Sequence, residues 1–202
     1  MTTRVAVFGA GSWGTALAIQ LARNGIGVNL WGRNADHIHS LISTRQNSTY
    51  LPGIELAPEI LPTSSIDECL SNASIVLIAI PSKAFREFLR TIKKVLDADV
   101  SIYWASKGFE IETGKLLHEL VEEELPGHHY GVVSGPTFAM EVARGLPAAI
   151  TCAGDDIPAT EKFAALLHGN RFRCYTSDDV VGVELGGALK NVLAIAVGIA
   201  DG

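Results

Sequence analysis

The sequence predicts an α/β fold: a doubly wound, mostly parallel sheet over residues 1–177, followed by the first helix of an all-α unit over residues 178–202. Three observations predict it. Short apolar runs rich in Val, Ile and Ala alternate with amphipathic segments, the pattern of strands joined by crossover helices. A glycine cluster, Gly9-Ala10-Gly11-Ser12-Trp13-Gly14, stands between the first run and the first helical segment. From Asp178 the alternation stops, and residues 180–200 read as one long helix, apolar around most of its circumference.

The first strand, residues 5–8, ends at the glycines. Gly9 is expected to make the tight turn, Gly11 to let the backbone approach a pyrophosphate, and Gly14 to let the following helix, residues 15–23, pack close to the strand. A second strand follows at residues 28–31. In this setting the Gly-x-Gly-x-x-Gly spacing is a dinucleotide fingerprint and the sheet is of the Rossmann type. The anion would sit on the helix N-terminus, where unpaired N–H groups and the macrodipole favour negative charge. An NAD-selective site places a carboxylate roughly 20 residues beyond the glycines. Here Gly32-Arg33-Asn34 stands instead, and a guanidinium pairs with the extra phosphate of NADP. NADPH is therefore the expected cofactor, with NADH the second choice through Asp36, which otherwise reads as a first-turn carboxylate of the next helix.

That helix is expected over residues 35–45, followed by a polar loop, Asn47-Ser48-Thr49-Tyr50-Leu51-Pro52-Gly53, of the kind that touches ligands. Further strands are expected at residues 75–80, 100–105, 130–133 and 148–152, and helices at 84–95, 115–124 and 159–167. Ligands of open α/β sheets bind beyond the carboxyl ends of the strands. Those ends are Pro81-Ser82, Ser106-Lys107-Gly108 and Ser134-Gly135-Pro136-Thr137. Lys107 offers a point charge to a substrate oxygen or phosphate. Gly135 and Thr137 offer backbone N–H groups and a hydroxyl, although an ordinary capped helix start accounts for them almost as well.

In the long terminal helix, Glu184, Gly187, Lys190, Asn191, Ala194, Gly198 and Asp201 fall on one polar or small stripe. The stripe is expected to face a cleft. Lys190 reads either as a proton donor and acceptor made usable by desolvation or as a lysine whose stem is buried and whose ammonium reaches water. Glu184 and Asn191 would orient it, or serve only in packing.

Composition narrows the function classes. With 48% hydrophobic and 19% charged residues the chain has material for a full core, and a net charge of −6 without a basic cluster argues against nucleic acid. No apolar run reaches the roughly 18 residues of a membrane helix. The first apolar stretch is a strand rather than a signal peptide, so a cytoplasmic location is expected. Cys69, Cys152 and Cys174 lack metal-ligand spacing and read as small buried hydrophobes of a reducing compartment; no metal is expected.

Taken together, Gly9-Ala10-Gly11-Ser12-Trp13-Gly14-Thr15-Ala16-Leu17-Ala18, Tyr50-Leu51-Pro52-Gly53, Ser106-Lys107-Gly108, Ser134-Gly135-Pro136-Thr137-Phe138-Ala139 and Leu185-Gly186-Gly187-Ala188-Leu189-Lys190-Asn191-Val192 closely resemble bacterial NAD(P)-dependent glycerol-3-phosphate dehydrogenases. The resemblance implies reduction of dihydroxyacetone phosphate to sn-glycerol 3-phosphate, the backbone precursor of phospholipids. It implies dinucleotide contacts from Ser12, Trp13, Arg33, Tyr50 and Ala139, and substrate contacts from Lys107, Gly135 and Thr137, Lys107 also touching the cofactor. Lys190 matches the family's proton-transferring lysine. Such enzymes continue with further helices, a catalytic Asp and an Arg-Asn pair, and a homodimer is implied; the 202 residues are expected to be a fragment that binds cofactor with little turnover. A nucleotide-sensing module without turnover, or a dehydrogenase of another substrate on the same scaffold, is the competing expectation.

Overall fold

The computed structural model describes residues 4–201 and, along the last helix, the side chains up to residue 190 and of residues 195–200. Eight strands, β1 (Arg4–Phe8), β2 (Gly27–Trp31), β3 (Ile60–Thr63), β4 (Ile75–Ile78), β5 (Ser101–Trp104), β6 (Tyr130–Ser134), β7 (Ala148–Gly154) and β8 (Phe172–Ser177), form one sheet in the order β3-β2-β1-β4-β5-β6-β7-β8. Strands β6 and β7 are the one antiparallel pair among the described residues; the rest run parallel. The helices are α1 (Ser12–Arg23), α2 (Ala35–Thr44), α3 (Ile66–Leu70), α4 (Phe85–Ile92), α5 (Leu117–Glu124), α6 (Ala139–Ala143), α7 (Ile157–Leu167) and α8 (Val180–Asp201).

Alternation along β1 shows how the sheet is covered on both faces. Val5 and Val7 join Leu17, Leu21, Leu30 and Phe163 in one core, while Ala6 and Phe8 join Phe85, Phe88, Trp104 and Leu120 in the other. Each fully buried Leu or Phe contributes about 1.5–3 kcal/mol relative to exposure, so the two layers, not the loops, hold the sheet. Tyr103 stacks on Phe163 with ring centroids 3.9 Å apart, and Phe8 meets Phe88 at 4.8 Å. On the second face, the Arg86 fork on Glu110 (2.6 and 2.8 Å) extends to Glu123 and Glu124 of α5. Arg86 first, then the Thr113 hydroxyl, pulls the Glu110 carboxyl down to about 2.

The chain winds outward through β2 and β3 on one side of β1, then returns to β4 on its other side and continues to β8. This reversal leaves a crevice at the carboxyl ends of β1 and β4, where ligands of such sheets bind.

The main expected elements form close to their expected positions, and α1 begins at Ser12, directly after the glycine turn. Three elements were not expected. β3 carries Pro62 and lies at one edge of the sheet, where a missing N–H is tolerated. β8 lies at the other edge with Arg173, Tyr175 and Thr176 facing outward, so its hydrophobic pattern is weak. α3 has five residues and is started by Ser65, whose side chain accepts from the Glu68 N–H. Cys69 and Cys152 are buried and Cys174 half-buried, the thiols of the latter two 3.0 Å apart on β7 and β8. Among the described residues no helix is long and apolar enough to cross a membrane, and no three potential metal ligands cluster.

Candidate functional site

The glycine turn shows a steric reason for two of its three glycines. Gly9 has φ +125°, and a Cβ there would lie 2.4 Å from the Ala79 carbonyl oxygen, so the β1 turn can pass β4 only without a side chain. Its N–H donates to the Trp31 carbonyl (2.9 Å), and the Ala79 N–H donates to Phe8 (2.7 Å), pinning the turn to both neighbouring strands. A Cβ on Gly14 would come within 2.0 Å of the Gly9 oxygen, which is the close helix–strand approach expected from the sequence. Gly11 has open space around it and precedes α1 without capping the helix through a side chain. By contrast α2, α3 and α7 are capped by Asn34, Ser65 and Asp156. The α1 N-terminus thus presents uncapped N–H groups beside Ser12 and the half-buried Trp13, at the positive end of a twelve-residue helix. Trp13 Nε1 is buried without a hydrogen-bond partner among the described residues, and so is Thr137 Oγ1 between β6 and α6. A polar, anionic group such as a dinucleotide fits the uncapped α1 N-terminus.

On the β2 side, Arg33 is exposed at the end of the strand and makes no hydrogen bond or ion pair among the described residues. Asp36 lies in the first turn of α2. Tyr50 is exposed, its ring edge-on to His37 with centroids 5.2 Å apart. The residue that brings this loop to the turn is Asn47, buried, with its amide donating to Ala10 O (3.0 Å) and Thr15 Oγ1 (2.8 Å). Its Oδ1 meets His37 Nε2 at 3.0 Å and receives the Tyr50 N–H at 3.3 Å. Sequence reasoning singled out the loop but not Asn47; a polar residue flanked by its exposed neighbours gives no local sign of burial.

The remaining candidates gather beyond the carboxyl ends of β5 and β6. Lys107 follows β5, exposed at the rim, with Nζ 3.5 Å from Gly135 O. Crowding that strips water from its ammonium, and then the nearby Lys190 charge, lower its pKa. Gly135 has no room for a side chain, since a Cβ would lie 2.7 Å from Ala149 O; its small size serves the passage of β6 against β7. Ala139 opens α6, half-buried, next to the exposed Phe138. Over the Phe138 ring, 5.5 Å from its centroid, lies Lys190 Nζ. Neither Lys107 nor Lys190 forms an ion pair among the described residues. The two cations share one rim, an arrangement that attracts an anion and stabilises charge developing on an oxygen.

Helix α8 reaches this rim because Gly187 is buried against it: a Cβ there would sit 2.7 Å from Ser134 Oγ and 3.9 Å from Lys107 Cγ. Lys190 is half-buried, between the two readings the sequence left open, and Leu189, Ile195, Val197 and Ile199 of the same helix are exposed. Of the two readings of Glu184, its contacts favour packing: the carboxyl makes no contact with Lys190 and is turned inward to Trp104 and His118. The Asn191 side chain, given the same two readings, lies outside the described residues.

A family model described as the N-terminus of NAD-dependent glycerol-3-phosphate dehydrogenase matches residues 4–159, and one described as the C-terminus matches residues 179–202. The glycerol-3-phosphate dehydrogenase (NAD(P)+) of Nitrosococcus oceani is 50% identical over 200 residues, 98% of this chain and 58% of that protein. Its namesake from Xanthomonas euvesicatoria pv. vesicatoria is 48% identical over 202 residues, 100% of this chain and 59% of that protein. A crystal structure of glycerol-3-phosphate dehydrogenase from Coxiella burnetii matches with a TM-score of 0.94 at 40% identity, over 99% of this chain and 61% of that one. The chain therefore spans 58–61% of the length of these relatives. With residues 4–159 matched by one family model and 99% of its length superposing on a solved relative, the chain belongs to the NAD-dependent glycerol-3-phosphate dehydrogenase family.

Proposed function

We propose that residues 1–177 bind a nicotinamide dinucleotide and that residues 178–202 begin the helical part of an enzyme that reduces dihydroxyacetone phosphate to sn-glycerol 3-phosphate. The observation that carries this reading is the convergence of Lys107 and Lys190 beyond the carboxyl ends of β5 and β6, at the same end of the parallel strands as the uncapped α1 N-terminus. When bound, the cofactor supplies the hydride for the ketone carbon. Gly11, Ser12 and Gly14 hold the pyrophosphate through backbone N–H groups, while Gly9, whose own N–H is taken by the Trp31 carbonyl, shapes the turn beneath it. Trp13, Tyr50 and Ala139 line the rest of the dinucleotide, and Arg33, exposed just past the β2 end, selects NADPH over NADH by pairing with its extra phosphate. Lys107, Gly135 and Thr137 hold the substrate. The Lys190 ammonium gives a proton to the carbonyl oxygen as the carbon is reduced, and the Lys107 charge stabilises that oxygen meanwhile. In the reverse direction neutral Lys190 takes the hydroxyl proton. The names of the relatives, which state NAD(P)+ use, support the cofactor class. A cytoplasmic homodimer supplying phospholipid synthesis completes the proposal.

The test follows nicotinamide absorbance in the full-length enzyme, with dihydroxyacetone phosphate compared against unphosphorylated dihydroxyacetone and a 2-keto acid, each with NADPH and NADH. Turnover of the phosphorylated ketone, faster with NADPH, is expected. Equal turnover of the keto acid would assign the scaffold to another dehydrogenase; cofactor binding with no oxidation by any ketone would make it a sensor.

A further inference from the structure

We propose that Glu184 is a positioning residue, a polar staple that fixes how α8 is rotated about its axis and thereby aims Lys190 at the crevice. The staple joins three elements. Glu184 Oε1 accepts from the Trp104 indole N–H at 3.0 Å, at the end of β5. Oε2 lies 2.5 Å from His118 Nδ1 and 3.4 Å from the His118 backbone N–H, both in the first turn of α5. Glu184 is 6% exposed, and both oxygens are engaged. Contacts to two separate elements resist sliding and twisting together, which one apolar contact does not.

Helix geometry carries the constraint to the site. Gly187 lies one turn on, against Ser134, and Lys190 about 120° around the axis and about 9 Å along it from Glu184. A lysine ammonium stands about 8 Å from the helix axis, so a 20° twist of α8 displaces it by about 3 Å. Misplacement by about 1 Å is enough to cost on the order of 100-fold in rate. Lys190 has no ion-pair partner among the described residues to hold it; its amine lies over the Phe138 ring and near the like charge of Lys107. The helix rotation is then the main determinant of where its amine stands. Burying a carboxyl is costly, and here desolvation raises the Glu184 pKa while His118 and Trp104 draw it back. A well-packed apolar residue would hold the helix at less cost but without the direction these hydrogen bonds impose.

The inference rests on the reading of Lys190 as proton donor, and two measurements keep the failures distinct. In the full-length enzyme, Glu184→Ala is expected to lower kcat at least 30-fold with less than a threefold change in NADPH affinity. Glu184→Gln, which keeps the acceptor for Trp104, is expected to recover at least a third of the wild-type kcat. In a Lys190→Ala background, Glu184→Ala is expected to cost less than threefold more. A full, additive loss in that background, or unchanged kcat in Glu184→Ala, overturns the proposal. Hydrogen exchange needs no substrate: amides of residues 184–190 are expected to exchange at least tenfold faster in Glu184→Ala while those of β1 and α1 are unchanged. Unchanged exchange along α8 overturns the staple itself, whatever becomes of Lys190.

Discussion

Replacing Gly11 with Ala separates binding from folding at the glycine turn. Gly11 has φ −79° and ψ −173°, extended backbone open to any residue, and nothing lies within 4 Å of an added Cβ. The loss of N-cap preference and the stiffening of the unfolded chain roughly cancel, so stability should change by no more than about 1 kcal/mol. For a domain of this size that shifts Tm by no more than about 4 °C. The open space that welcomes the methyl is the space a pyrophosphate must enter. Loss of one hydrogen bond to a charged group costs about 1.5–3 kcal/mol, a factor of about 10–150 in Kd for NADPH. Gly14→Ala is the control: its Cβ would lie 2.0 Å from the Gly9 oxygen and 3.2 Å from Ala79 Cβ, and a backbone oxygen cannot swing aside. It should destabilise by about 3 kcal/mol, with a Tm drop of about 6–12 °C. Calorimetric titration with NADPH and thermal unfolding on the same samples give both numbers. A Gly11→Ala protein that binds NADPH as tightly as the parent would refute the placement of the anion, and a Gly14→Ala protein that melts unchanged would refute the close approach of α1.

Two other substitutions test different parts of the account. Arg33→Asp should reduce the NADPH-to-NADH affinity ratio at least tenfold, by placing repulsion where the 2′-phosphate is proposed to bind; an unchanged ratio removes Arg33 from the site. Arg86→Ala should cost about 1–3 kcal/mol at neutral pH, because it breaks a two-bond fork on Glu110 and two links to α5. Since Arg86 lowers the Glu110 pKa in the folded state, the stabilisation is present above the unfolded value of about 4.3 and is lost as pH falls towards about 2. The gap between the two proteins in denaturant midpoint should therefore narrow between pH 7 and pH 3, and an equal gap at both would show that ionisation of Glu110 is not its source.

The parts of this molecule legible in the sequence are those whose cause is local. The β1 strand, the glycine turn and α1 follow from apolar patterning and from spacing that packing then requires, down to the clash that excludes a Cβ at Gly14. β3 and β8 were not legible, because edge strands bury one side only and carry Pro62 or outward polar residues that mask the pattern. Asn47 and Glu184 were visible as polar residues, but their meaning lies with partners distant in sequence: Ala10, Thr15, Trp104 and His118. A stripe read from helical periodicity put Glu184 on one face of α8 with Lys190 and left open whether it meets the amine or packs inward, since periodicity fixes direction and not contact.

The central claim is that the amine standing over Phe138 delivers the proton. Single-turnover oxidation of NADPH by dihydroxyacetone phosphate, compared between the full-length enzyme and its Lys190→Ala variant, tests it most directly. A rate constant at least 1,000-fold lower, with the Kd for NADPH within twofold, is the result this account predicts from loss of a positioned general acid and the positive charge it carries. A variant that binds NADPH poorly but reacts at the parent's rate once loaded would contradict it.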